Sequence, residues 1–122
     1  MAEQKHQEQT NEETELKLKE TICEIGRLLF SRGMVASNDG NISCRTPDGN
    51  LLVTPTGVSK GAMTPDMILK CDMEGNVLEG TWKKTSELPM HLRAYQERPD
   101  IRAVVHAHPP TATGFACAGE PL

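Results

Sequence analysis

Two histidines, His106 and His108, close a short apolar run, Ala103-Val104-Val105-His106-Ala107-His108, and Pro109 and Pro110 follow at once. Side chains alternate between the two faces of a β-strand, so the histidines project from one face while Val105 and Ala107 pack on the other. Proline has no backbone N–H and cannot continue a central strand, which puts the pair at a strand end, where a sheet meets solvent or a cleft. Two neutral imidazoles side by side have two uses open to them. They can ligate a metal ion such as Zn²⁺, or they can be a hydrogen-bonded pair near a sheet edge.

A second set of reactive groups lies at Thr85-Ser86-Glu87. Thr85 and Ser86 are N-cap residue types, Pro89 is tolerated in a first turn, and Leu88, Leu92 and Tyr95 form an apolar stripe down to Arg98-Pro99. The pattern predicts a helix that begins at Thr85 and Ser86. Unpaired N–H groups and the positive end of the helix dipole attract phosphate there, with both hydroxyls as further donors, although capping alone is the simpler use. Glu87 can complement the dipole, ligate a metal or act as a general base, and His91, one turn on, can pair with it. The short Pro99-Asp100 connection sends the chain back antiparallel to the helix. That brings Glu87 towards the end of the strand that carries the histidines.

Two loops offer anion-binding chemistry. Ala36-Ser37-Asn38-Asp39-Gly40-Asn41 is dense in small and φ-permissive residues, and such a loop is either a plain turn or a nest of N–H groups, to which Asn41 can add its amide. In Thr54-Pro55-Thr56-Gly57 a hydroxyl precedes a glycine that permits close backbone approach.

The elements that position these groups follow from periodicity. Leu18, Ile22, Ile25 and Leu29 mark one face of a helix that starts near Thr14 and is capped by Gly33. Residues 1–13 are polar without apolar period and are expected to be a disordered tail, with 14–122 forming the domain. Runs at 42–45 and 51–54 flank a Pro-Asp-Gly turn and read as a hairpin; those at 68–72 and 77–79 flank Met73-Glu74-Gly75-Asn76 and read as a second. Thr64-Pro65 opens a short turn between them.

Composition narrows the function classes. The chain has 122 residues and a net charge of −4, with two Phe, one Trp and one Tyr, so it offers neither the basic footprint nor the stacking aromatics that nucleic acid requires. No apolar segment is long enough to suggest a membrane partner. Cys23, Cys44, Cys71 and Cys117 are widely spaced, which favours free thiols in a reduced, cytoplasmic protein.

In order, Gly40-Asn41-Ile42-Ser43, Thr54-Pro55-Thr56-Gly57, Thr85-Ser86-Glu87 with His91, and Val104-Val105-His106-Ala107-His108 resemble the motif set of the class II aldolase/adducin family. The resemblance runs from about the first helix to the last residue. It implies an α/β fold, a three-layer αβα arrangement around a central mixed, largely antiparallel sheet, incomplete at the C-terminus. Residues 14–122 would be the N-terminal portion of that domain. It implies that Asn41, Thr56, Gly57, Thr85 and Ser86 bind a substrate phosphate, with Thr85 standing where serine is frequent. His106 and His108 would be zinc ligands and Glu87 the acid/base residue, while His91 matches a recurring histidine with no assigned role. Family members are longer, and a third zinc histidine lies in the part of them that would follow residue 122, so weak metal binding is expected of His106, His108 and Glu87 alone. The implied activity is zinc-dependent retro-aldol cleavage of a phosphorylated ketose by a homotetramer. Epimerases and dehydratases share the platform, and adducin-like interaction modules keep the fold without catalysis. Retention of both histidines and the glutamate argues against such a module.

Overall fold

Leu51, Leu52 and Val53 are wholly buried because their strand is the middle one of five and carries helices on both sides. The computed structural model describes residues 1–122. Helix α1 (Ala2–Ser31) leads into β1 (Asn41–Arg45) and β2 (Leu51–Val53); β3 (Leu69–Cys71), β4 (Val77–Glu79), α2 (Leu88–Glu97), β5 (Ala103–His106) and α3 (Pro110–Ala118) follow. The strands lie in the order β4-β3-β2-β1-β5. All four pairings are antiparallel, so this part of the sheet contains no parallel pair.

Strand alternation divides the core in two. Leu52 joins Ile42, Cys44, Ile22, Cys23, Met63 and Ile68 on the α1 face, whereas Leu51 and Val53 join Leu69, Cys71, Leu88 and Tyr95 on the α2 face. This gives the expected three layers. Each fully buried Leu or Val contributes about 1.5–3 kcal/mol, enough to hold a sheet of three- to five-residue strands. Both predicted hairpins form. An ion triad ties α1 to them: the buried Lys70 Nζ lies 2.6 Å from the buried Glu15 Oε1 and 2.7 Å from Oδ2 of the exposed Asp48.

The C-terminus of α1 follows its sequence signal. Gly33 takes φ +69°, a left-handed value that favours glycine. The Gly33 N–H then donates to Phe30 O at 3.1 Å and the Met34 N–H to Leu29 O at 2.9 Å, a Schellman end. The N-terminus departs from expectation. Residues 2–13, expected as a disordered tail, continue α1, although residues 1–10 are all exposed. Glu, Gln and Lys are good helix formers, and a helix nucleated by its packed half gains one hydrogen bond for each residue added, which composition alone does not count. Beyond β5, Pro110 begins α3, which buries none of its residues. No helix is long and apolar enough to cross a membrane.

Candidate active site

The register of β1 against β5 places Asn41 directly opposite His106, so their side chains share one face of the sheet. The chain then leaves the strand, and the His108 N–H donates to Met34 O at 2.7 Å, which draws the histidine back over the α1–β1 loop. The two imidazole centroids are 4.9 Å apart. His108 Nδ1 lies 3.3 Å from Asp39 Oδ2. His106 Nδ1 is buried and has no hydrogen-bond partner.

This close approach depends on Gly40. At φ +78°, a Cβ there would sit 2.5 Å from Val35 Cγ1 and 3.1 Å from His106 O. Gly40→Ala is therefore expected to lower the unfolding free energy by about 2 kcal/mol, from left-handed strain and contact together. An unchanged denaturation midpoint would contradict it.

The other wall of the site comes from the start of α2. The predicted helix exists, but its N-cap is Glu87 and its first residue Leu88, so Thr85 and Ser86 precede it. The cause is a contact made elsewhere. Lys84 pairs with Pro55 in an isolated antiparallel bridge, and the Thr56 N–H donates to Lys83 O at 2.9 Å, which holds residues 83–85 extended. The same bridge brings the Thr56 turn beside Thr85. Thr85 is buried, and its Oγ1 accepts the Glu87 N–H at 3.2 Å, leaving its own hydroxyl proton to donate.

Asn41, Thr56, Thr85, Ser86, Glu87, His106 and His108 all line one cavity of about 150 Å³ that no hydrophobic residue enters. Gly57, at φ +74°, forms the adjoining turn without lining it. A larger groove, about 520 Å³, runs between α1 and the β1–β5 edge, but it carries no carboxylate or imidazole. Burial pushes its Cys44 thiol up to about 11, so that group is not a ready nucleophile.

Two residues behave otherwise than sequence suggests. His91 does not pair with Glu87 through its side chain. It is fully buried behind the cavity, its ring bonded to Ser43 and Asn41, and burial, aided by nearby His106 and opposed by Glu87, lowers its pKa to about 4. Lys60 had no sequence signal, yet it lines the cavity while almost wholly buried. Its ammonium donates to Val58 O at 2.8 Å, and burial lowers its pKa against the opposing charge of Asp39. A buried lysine is rare enough that only the fold reveals it.

The histidine pair offers two metal donors of suitable chemistry, one of them the unpartnered His106 Nδ1. No group of three His, Cys, Asp or Glu side chains is gathered that could hold a metal ion. A catalytic zinc site has three protein ligands, so the donor set within these residues is one short. All four cysteines are free.

A polar cavity lined by the carboxylates of Asp39 and Glu87, by paired imidazoles and by hydroxyl and amide donors lies at the edge of an antiparallel sheet between helices, in an α/β domain. The sequence model of the class II aldolase and adducin N-terminal domain matches residues 20–122, and the chain belongs to that family. It is 45% identical over 102 residues to L-fuculose phosphate aldolase of Methanococcus maripaludis, covering 83% of this chain and 54% of that protein. It is 38% identical over 104 residues to 3-oxo-tetronate 4-phosphate decarboxylase of Haemophilus influenzae, covering 85% of this chain and 49% of the other. Among solved structures, L-fuculose-1-phosphate aldolase from Thermus thermophilus superposes with a TM-score of 0.67 at 35% identity, over 78% of this chain and 48% of that one. The chain thus spans about half the length of the relatives it matches.

Proposed function

We propose that the protein is a metal-dependent lyase that cleaves a phosphorylated ketose by retro-aldol chemistry. The observation that carries this reading is the meeting of Glu87, His106, His108 and the phosphate-type donors in one polar cavity. The Asn41 amide, the hydroxyls of Thr56, Thr85 and Ser86, the Gly57 turn and the Lys60 ammonium hold the phosphate and so fix the sugar's far end. Glu87 takes the proton of the hydroxyl beside the bond that breaks and returns it to carbon. His106 and His108 would hold a divalent metal, Zn²⁺ in this proposal, which when bound stabilises negative charge developing on the carbonyl oxygen. Decarboxylation and dehydration, the activities named for some relatives, develop the same charge, and the platform serves them equally. The proposal includes a cytoplasmic location and a homotetramer, and light scattering on the purified protein would support or refute the tetramer.

The test is a pair of titrations, with Zn²⁺ and with inorganic phosphate. Wild type is expected to bind both, and His106→Ala to lose zinc while keeping phosphate. Zinc retained in full by His106→Ala would sink the metal assignment. Lys60 gives a sharper separation of binding from stability. Lys60→Met removes a desolvated ammonium, so folding stability is expected to hold or rise, while phosphate affinity falls by about 10- to 100-fold. Unchanged phosphate affinity would remove Lys60 from the site.

A further inference from the structure

Asn41 can serve an anion only if its NH₂ faces the cavity, because its carbonyl oxygen would repel a phosphate. That orientation is set from behind. His91 is fully buried with no carboxylate hydrogen-bonded to it, so its ring is neutral, one nitrogen donating and the other accepting. Ser43 Oγ lies 2.6 Å from His91 Nδ1 and 2.8 Å from the Tyr95 hydroxyl, and His91 Nε2 meets Asn41 Oδ1.

Two proton orders satisfy these contacts. In one, Tyr95 donates to Ser43, Ser43 to His91 Nδ1, and His91 Nε2 to the Asn41 carbonyl. In the other every bond reverses, Nε2 is bare, and the Asn41 amide must turn its carbonyl to the cavity. The far end of the chain chooses between them. Ser43 Oγ is the one hydrogen-bond partner of the buried phenol oxygen. In the reversed order the phenol oxygen accepts from Ser43, and the phenol proton is left buried without an acceptor, a cost of the kind buried polar groups avoid. The forward order uses every proton. It also matches the free group at the front, since Asn41 Nδ2 makes no hydrogen bond within the chain while Asn41 lines the cavity.

We propose that Tyr95, Ser43 and His91 form a proton-ordered positioning chain that locks the Asn41 amide with its NH₂ towards a bound anion. His91 is a positioning residue here and touches no substrate. The inference rests on the reading of this cavity as a phosphate site, and its test separates the two.

The ¹⁵N resonances of His91 in the ligand-free protein report the tautomer directly, and inorganic phosphate titrations of the same sample report the anion site. The lock requires a protonated Nε2 and a bare Nδ1 in wild type. Ser43→Ala should mix the tautomers and weaken phosphate binding about fivefold, with Tyr95→Phe, which keeps the core volume, shifting both readouts the same way. A protonated Nδ1 in wild type overturns the proposal. So does full phosphate affinity in both variants when Asn41→Ala has lost it. A wild type that binds no phosphate fails the site reading instead, and the tautomer, read without ligand, still decides the lock.

Discussion

Glu87→Gln is expected to slow exchange of carbon-bound hydrogen in a ketose phosphate by about 10²–10⁴-fold, the usual worth of a positioned acid/base group, while phosphate binding stays as in wild type. Two carboxylates line the cavity, and only one is free. Asp39 Oδ1 accepts the Ala36 N–H at 2.6 Å and its Oδ2 lies 3.3 Å from His108, so it is committed to shaping the loop and orienting an imidazole. The Glu87 carboxylate makes no hydrogen bond within the chain, and its residue is exposed at the head of α2. Glutamine keeps its size and its place as N-cap, so the fold should tolerate the change. Deuterium incorporation from D₂O, followed by NMR in the presence of Zn²⁺, measures the step without requiring the natural sugar. Exchange at the wild-type rate in Glu87→Gln would transfer the proton role to another group.

Local signals in the sequence carried much of this site. The apolar run Ala103 to Val105 marked the strand that ends at His106, Gly33 ended α1, and the two turns marked the β1–β2 and β3–β4 hairpins. Those signals span a few residues each. The parts that escaped depend on residues far apart in the chain. The Lys84–Pro55 bridge, which delays the start of α2, and the contact of Ser43 with His91 and Tyr95 join segments that no periodicity relates. Lys60 is similar: its sequence neighbours, Ser59 and Gly61, say nothing of the burial that α1 and the α1–β1 loop impose on it. The exposed half of α1 failed for another reason, since polar composition signals the absence of a core contact but not the absence of a helix.

Acid should unfold the wild-type protein more steeply than a His91→Gln variant over the interval from about pH 6.5 to pH 4. In the unfolded chain an imidazole protonates near pH 6.5, whereas burial, with a smaller push from His106, holds His91 in the folded chain neutral down to about pH 4. Between those values the unfolded state carries a proton that the folded state does not, so each fall in pH favours unfolding. The stabilisation is fully present above pH 6.5, and by pH 4 about 3 kcal/mol of it is gone. Asp48 provides a built-in contrast. Burial alone would raise its pKa, but hydrogen bonds from Lys70 and Thr46 and the Lys70 charge bring it down to about 2, so the stability it lends is lost only below the ordinary carboxylate value of 3.8. Urea titrations at half-unit steps of pH separate the two intervals. His91→Gln cannot take up a proton, so its stability should be lower at pH 7 yet nearly level down to the carboxylate range. Equal slopes in the two proteins would mean that His91 takes up its proton in the fold within this interval, and there a ring that donates from both nitrogens could not accept the Ser43 proton on which the orientation of Asn41 depends.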